Sequence, residues 1–243
     1  MSAHRPWIIA HRGASGHAPE NTMAAFRLAA SMGAQFLETD LHLTRDARFV
    51  AIHDLSLERT TSGRGNVREH SLESLQALDA GSWFDPKFSG EKIPTLDEIL
   101  GFACEADLTP YLEIKFEGAF GMHHGLILAL KEHQMASRAV LLAFDAATLA
   151  GILRLDPTLM TGLLVDAGVE TAVERALALG VRQLVPRADL ITPEIIAQAH
   201  DADLKVVAWT VNEPEHMRAL AAAGVNGIMS DYPDRLRATL WES

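Results

Sequence analysis

The chain has 243 residues, 48% of them hydrophobic and 22% charged, with a formal net charge of −11. That length and apolar content suit one domain with a large core, and the negative field argues against nucleic acid and anionic membranes as partners. No apolar run reaches the roughly 20 residues needed to span a bilayer.

Met1 to Trp7 carries no signal-peptide pattern, and the single cysteine, Cys104, excludes an internal disulfide. Both features lead us to expect a cytoplasmic protein. Trp7–Ala10 reads as a buried strand. Pro19, Asn21 and Thr22 then open an amphipathic helix that runs to about Met32 and is stopped by Gly33. Phe36–Leu43 and Phe49–His53 read as two strands around a turn at Arg45-Asp46, a hairpin. From Asp54 to about Pro94 the periodicity weakens and Gly, Ser, Arg and Asn become frequent, which reads as an insertion with structure of its own. Helical spacing resumes behind Thr95, a good N-cap. Cys104 lies in that apolar pattern and is expected to be a small buried hydrophobe.

Regular alternation follows. Strands are predicted at Tyr111–Phe116, Ala139–Phe144, Met160–Val165, Gln183–Val185, Lys205–Thr210 and Gly227–Ser230. Helices are predicted between them at about His123–His133, Asp145–Leu155, Glu170–Leu179, Pro193–His200 and Glu213–Ala223, with a last one after Pro233. Eight strand–helix units in this length predict an α/β fold, a closed (β/α)8 TIM barrel with a small inserted subdomain at about 54–94 after the hairpin. Residues 1–243 would then form one domain. No Gly-x-Gly-x-x-Gly follows the first strand, which weakens a dinucleotide-binding reading.

Residues two apart on a strand share a face. Glu38 and Asp40 therefore point one way, with Leu37, Thr39 and Leu41 suited to the helix layer. Glu113 and Lys115 share a face in the same manner, opposite Leu112 and Ile114. Three inward carboxylates at a barrel mouth repel one another unless a cation sits among them. Oxygen donors without cysteine favour Mg²⁺, Ca²⁺ or Mn²⁺ over zinc. His11 and His53 each end a strand, and their near-neutral pKa suits proton transfer on two sides of a phosphorus centre. Arg12 offers a planar fork for phosphate oxygens. Lys115 could neutralise phosphate or simply pair with an inward acid. Gly13 and Gly16 would let the backbone approach a ligand.

These motifs resemble the glycerophosphodiester phosphodiesterase family. The likeness is carried by His11-Arg12-Gly13, Pro19-Glu20-Asn21-Thr22, Glu38-Thr39-Asp40, His53-Asp54 and Glu113-Ile114-Lys115. It continues through Leu57-Glu58-Arg59-Thr60-Thr61, Asp79 to Phe84, Trp209-Thr210-Val211-Asn212 and Gly227 to Asp231. The resemblance implies a TIM barrel with an insertion after the His-Asp motif. It also implies one divalent metal at Glu38, Asp40 and Glu113, catalysis by His11 and His53, and phosphate contacts from Arg12 and Lys115. Phe144 and Trp209 would line the pocket. The implied activity is hydrolysis of glycerophosphodiesters to sn-glycerol 3-phosphate and an alcohol through a cyclic phosphate. Neither histidine is identified as acid or base by the sequence. A phospholipase D-like enzyme acting on lysophospholipids, and an idle phosphodiester-binding module, are the alternatives.

Three positions depart from the family's frequent pattern: Ala47 where glycine often follows Asp46, Asn226 before Gly227-Ile228, and Leu142-Ala143-Phe144 without a serine. Trp83 and Phe84 either cap the mouth or form the insertion's own small core. His17 is a loop residue near the site with no catalytic role assigned, and His123 and His124 are expected on a helix surface.

Overall fold

The computed structural model describes residues 5–115 and 120–241. Among them nine strands form one sheet. They are β1 (Trp7–Ala10), β2 (Phe36–Leu43), β3 (Phe49–Ala51), β4 (Thr109–Ile114), β5 (Val140–Ala143), β6 (Met160–Val165), β7 (Gln183–Pro186), β8 (Lys205–Ala208) and β9 (Gly227–Ser230). The order β1-β9-β8-β7-β6-β5-β4-β2 closes on itself through β1–β2 pairing. Every pairing round the ring is parallel. β3 joins β2 as the antiparallel hairpin. The helices are α1 (Met23–Ser31), α2 (Leu72–Gln76), α3 (Leu96–Glu105), α4 (Phe120–Glu132), α5 (Ala146–Leu155), α6 (Ala172–Leu179), α7 (Pro193–Asp201), α8 (Pro214–Ala223) and α9 (Pro233–Trp241). This is a (β/α)8 TIM barrel.

Strand alternation builds its two layers. Ile9, Tyr111, Val140, Leu142, Leu164, Val185, Val207 and Met229 fill the barrel interior. Their neighbours in sequence pack outward against the helices: Leu37, Leu41, Leu112 and Ile114 on one side of the ring, Ile8, Leu163, Leu184, Val206 and Ile228 on the other. Side-chain hydroxyls of Thr22 and Thr95 cap α1 and α3, Thr95 in a capping box with Glu98. The hairpin turn keeps a left-handed residue although alanine stands there, with Ala47 at φ 58°. Asn226 is buried and accepts from the Val206 backbone N–H at 2.7 Å, so that departure is structural.

Between β3 and α3 the chain forms two 3-10 turns and α2. Leu57, Val67, Leu75 and Ala80 from this segment pack with Val50, Ile52 and Ile93 into a separate small core. Trp83 and Phe84 pack edge to face at 5.6 Å, and the Trp83 indole donates to the Ala80 carbonyl.

Two expectations change. Cys104 is exposed; α3 buries Leu96, Ile99, Leu100 and Ala103, and the next residue turns off that face. His123 is buried at 4% exposure, whereas His124 is exposed as expected. Predicted strand residue Phe116 lies outside the described residues.

Candidate active site

The parallel register of β2 and β4 sets Asp40 beside Glu113 and Glu38 beside Tyr111. With the alternation, that register places all three acids inward. Glu38, Asp40 and Glu113 each offer an oxygen, and these atoms lie within 4.8 Å of one another. Burial, and repulsion by Asp40 and Glu113, hold the Glu38 carboxyl well above the usual range. Burial and Asp40 push Glu113 up to about 7. For Asp40, burial is outweighed by Arg12 and Lys115, which hold it far below its ordinary value. Its Oδ1 is buried without a hydrogen bond of good geometry, though Lys115 Nζ lies 3.2 Å away. Crowded carboxylate oxygens, one of them under-satisfied, fit a hard divalent cation.

The loop between β1 and α1 brings the first histidine and the arginine over this cluster. It turns on Arg12 (φ 55°), Gly13 (φ 84°) and Asn21 (φ 54°). A Cβ at Gly13 would meet Ala25 at 2.7 Å, and one at Gly16 would meet the Tyr232 ring. Both glycines are therefore required by the packing of the loop. The Arg12 backbone N–H donates to Glu38 Oε2 at 2.9 Å. Its guanidinium lies 2.9 Å from Glu20 and 3.2 Å from Asp40.

Asn21 locks the loop to β2. Its amide donates to Asp40 Oδ2 at 2.8 Å and accepts from the Thr39 hydroxyl at 2.7 Å. Asn21→Ala is expected to lower stability by about 2–4 kcal/mol. The loss combines a strained left-handed alanine with two buried polar groups left unpaired. Equilibrium urea denaturation checks this; a cost under about 0.5 kcal/mol would contradict it.

Each strand-end histidine is tied through Nδ1 to a carboxylate. His11 Nδ1 lies 2.7 Å from Asp231, and His53 Nδ1 lies 2.6 Å from Asp54. A carboxylate is acceptor only, so Nδ1 carries the proton and Nε2 is the ring nitrogen available to the cleft. Ser15 and Asn212 also donate to Asp231, at 2.9 and 2.6 Å. Buried His42 bonds the His53 carbonyl at 3.0 Å. Burial pushes the His53 pKa down, and Arg12 and Lys115 add to this against Asp40.

His11, Arg12, Glu38, His53, Glu113 and Lys115 line one side of a cleft, and Leu142, Phe144, Leu164, Trp209 and Met229 the other. Phe144 and Trp209 meet edge to face at 5.7 Å. Asp40 lies beneath the wall at 1% exposure. Lys115 pairs with Glu113 at 2.6 Å, the plain alternative to a phosphate contact, while still facing the cleft. Trp83 and Phe84 are not among the cleft residues. His17 pairs with Asp234 at 3.0 Å. Asp54, Arg59, Asn212 and Asp231 stand in the motifs quoted from the sequence but have no role assigned there, and His42 is missed altogether. Asp231 carried a usable signal, since it follows β9 as His11 follows β1.

Asp231 also sets a pH dependence. Burial raises its pKa, but bonds from His11, Asn212 and Ser15 bring it down to about 2. Its contribution, of order 1–2 kcal/mol, is fully present above the unfolded value near 4 and lost as pH falls toward 2. Asp231→Asn should therefore have a lower Tm at neutral pH and a shallower fall in Tm between about pH 4 and 2. Scanning calorimetry across that range tests this, and parallel curves would contradict it.

Residues 11–235 match the model of the Glycerophosphoryl diester phosphodiesterase family. A glycerophosphodiester phosphodiesterase of Caldanaerobacter subterraneus subsp. tengcongensis is 38% identical over 231 residues, covering 94% of this chain and 95% of that protein. Another, from Bacillus subtilis, is 32% identical over 254 residues, covering 96% and 86%. The solved structure of an Oleispira antarctica phosphodiesterase, in complex with the product sn-glycerol-3-phosphate, superposes with a TM-score of 0.92 at 31% identity, covering 98% of both chains.

Proposed function

We propose that this chain, which belongs to the glycerophosphoryl diester phosphodiesterase family, hydrolyses glycerophosphodiesters to sn-glycerol 3-phosphate and an alcohol in a metal-dependent reaction. The observation that carries this reading is the convergence of two carboxylate-tethered imidazoles on a cleft floored by three crowded acids. The likeness to relatives named for this activity, and to a phosphodiesterase solved with sn-glycerol-3-phosphate, supports it.

Glu38, Asp40 and Glu113 would hold one divalent cation, Mg²⁺, Ca²⁺ or Mn²⁺. The bound cation would supply Lewis acidity toward a phosphate oxygen and lower the pKa of a neighbouring glycerol hydroxyl. Arg12 and Lys115 meet the remaining phosphate oxygens from the cleft wall. One imidazole takes the proton of the glycerol 2-hydroxyl through Nε2. The hydroxyl oxygen bonds to phosphorus while the bond to the alcohol oxygen breaks, and the other imidazole protonates that oxygen. Ring closure benefits from holding both reacting groups on one substrate. Water then opens the cyclic phosphate with the two proton roles reversed. Phe144 and Trp209 offer an apolar wall to the glycerol carbons.

No described helix is long and apolar enough to cross a membrane. The −11 charge disfavours an anionic membrane surface and so supports a small water-soluble substrate. The idle-module alternative is disfavoured because both histidines, Glu38 and Glu113 line the cleft and Asp40 clusters with the two acids beneath it. Incubating the purified chain with glycerophosphocholine should yield sn-glycerol 3-phosphate and choline, and lysophosphatidylcholine should react more slowly. Phosphocholine and glycerol as products, or preference for the acylated substrate, would overturn the assignment.

A further inference from the structure

Arg59 links two groups that line the same side of the cleft, His53 and Arg12. One edge of its guanidinium grips Asp54, with Nε 2.6 Å from Oδ2 and Nη2 3.2 Å from Oδ1. The other edge grips Glu20, with Nη1 and Nη2 each 2.8 Å from an oxygen. Asp54 in turn holds His53 Nδ1 at 2.6 Å, and Glu20 holds Arg12 Nη1 at 2.9 Å. A continuous chain of charge-assisted bonds thus runs from His53 to Arg12 through a residue that does not itself line the cleft.

The anchor lies in the insertion. Leu57 is fully buried in its small core, and its carbonyl accepts the Thr61 backbone N–H and hydroxyl at 3.1 and 2.6 Å. That turn fixes the backbone of Arg59. The Arg59 side chain is 42% exposed, and a single ion pair there would contribute little. Four bonds to two carboxylates on a planar fork are a different case, because they set orientation as well as charge.

We propose that Arg59 is a positioning residue that sets the His53 ring and the Arg12 guanidinium in register with each other along one side of the cleft. The inserted segment thereby acts as the rigid mount for one histidine and the arginine. This rests on the two-histidine reading of the reaction. It assigns a task to a side chain that touches no substrate.

The proposal is tested with Arg59→Gln and Arg59→Lys. Lysine keeps the charge but presents its donors from one point and cannot span both carboxylates. Both variants should lose about 10- to 100-fold in kcat/KM on glycerophosphocholine while remaining folded. Glu20→Gln, which loosens only the Arg12 end, should raise KM more than it lowers kcat. Nitrogen-15 spectra of the His53 imidazole should show one Nδ1-protonated tautomer in the parent and a mixture in Arg59→Gln. Full activity in Arg59→Lys would overturn the proposal, as would an unchanged His53 spectrum in Arg59→Gln. If the parent lacks phosphodiesterase activity, the reaction reading fails, and the imidazole spectra still decide the role of Arg59.

Discussion

Alanine at His11 or at His53 is expected to lower turnover by about 10³–10⁴-fold, with the fold retained. Each loss follows from removing a proton-transfer group whose geometry is already set. The fold should survive because neither truncation orphans a buried charge. Without the imidazole, Asp231 keeps its bonds from Asn212 and Ser15, and Asp54 keeps those from Arg59. Both rings are also partly exposed, at 16% and 32%. The double variant should be scarcely worse than either single one, since the two groups act in one step. Circular dichroism and steady-state kinetics on purified variants check this. Near-normal hydrolysis by either variant would remove that histidine from the reaction.

Glu38→Gln should separate metal binding from folding. Burial and its two acidic neighbours already disfavour the charged Glu38. A glutamine oxygen can still accept the Arg12 backbone N–H now bound at 2.9 Å. The metal-free variant should therefore melt no lower than the metal-free parent. The parent should gain about 2.7 kcal/mol at a cation concentration 100 times its Kd, or about 5–10 °C in Tm for a chain of this size. The variant should gain little and lose most of its activity. An equal cation-induced rise in both proteins would contradict the assignment of Glu38.

The barrel was legible because its strands obey a simple period. Trp7–Ala10, Phe36–Leu43, Met160–Val165 and Gly227–Ser230 are bounded in the structure as the sequence predicts. Alternation alone turned Glu38, Asp40 and Glu113 inward. Less legible were the groups that hold the machinery in place. Asp231 reaches His11 across 220 positions and Arg59 reaches Glu20 across 39, and a local pattern carries no distance of that kind. Helical phase explains the rest. His123 stands three, four and seven residues before Leu126, Ile127 and Leu130, all buried, so the apolar stripe already included it. Cys104 follows Ala103 by one residue, a step of about 100°, and leaves the buried stripe of α3. The insertion gave weak signals because its small core is assembled from scattered residues, from Val50 to Ile93, with no period to read.

The central claim, that a carboxylate-held cation and the cleft's histidines cleave a glycerophosphodiester, is most directly tested by sn-glycerol 3-phosphate release from glycerophosphocholine before and after exhaustive dialysis against chelator. Release should fall to background on dialysis and return when Mg²⁺, Ca²⁺ or Mn²⁺ is added. Undiminished release from the chelator-treated protein would contradict the account.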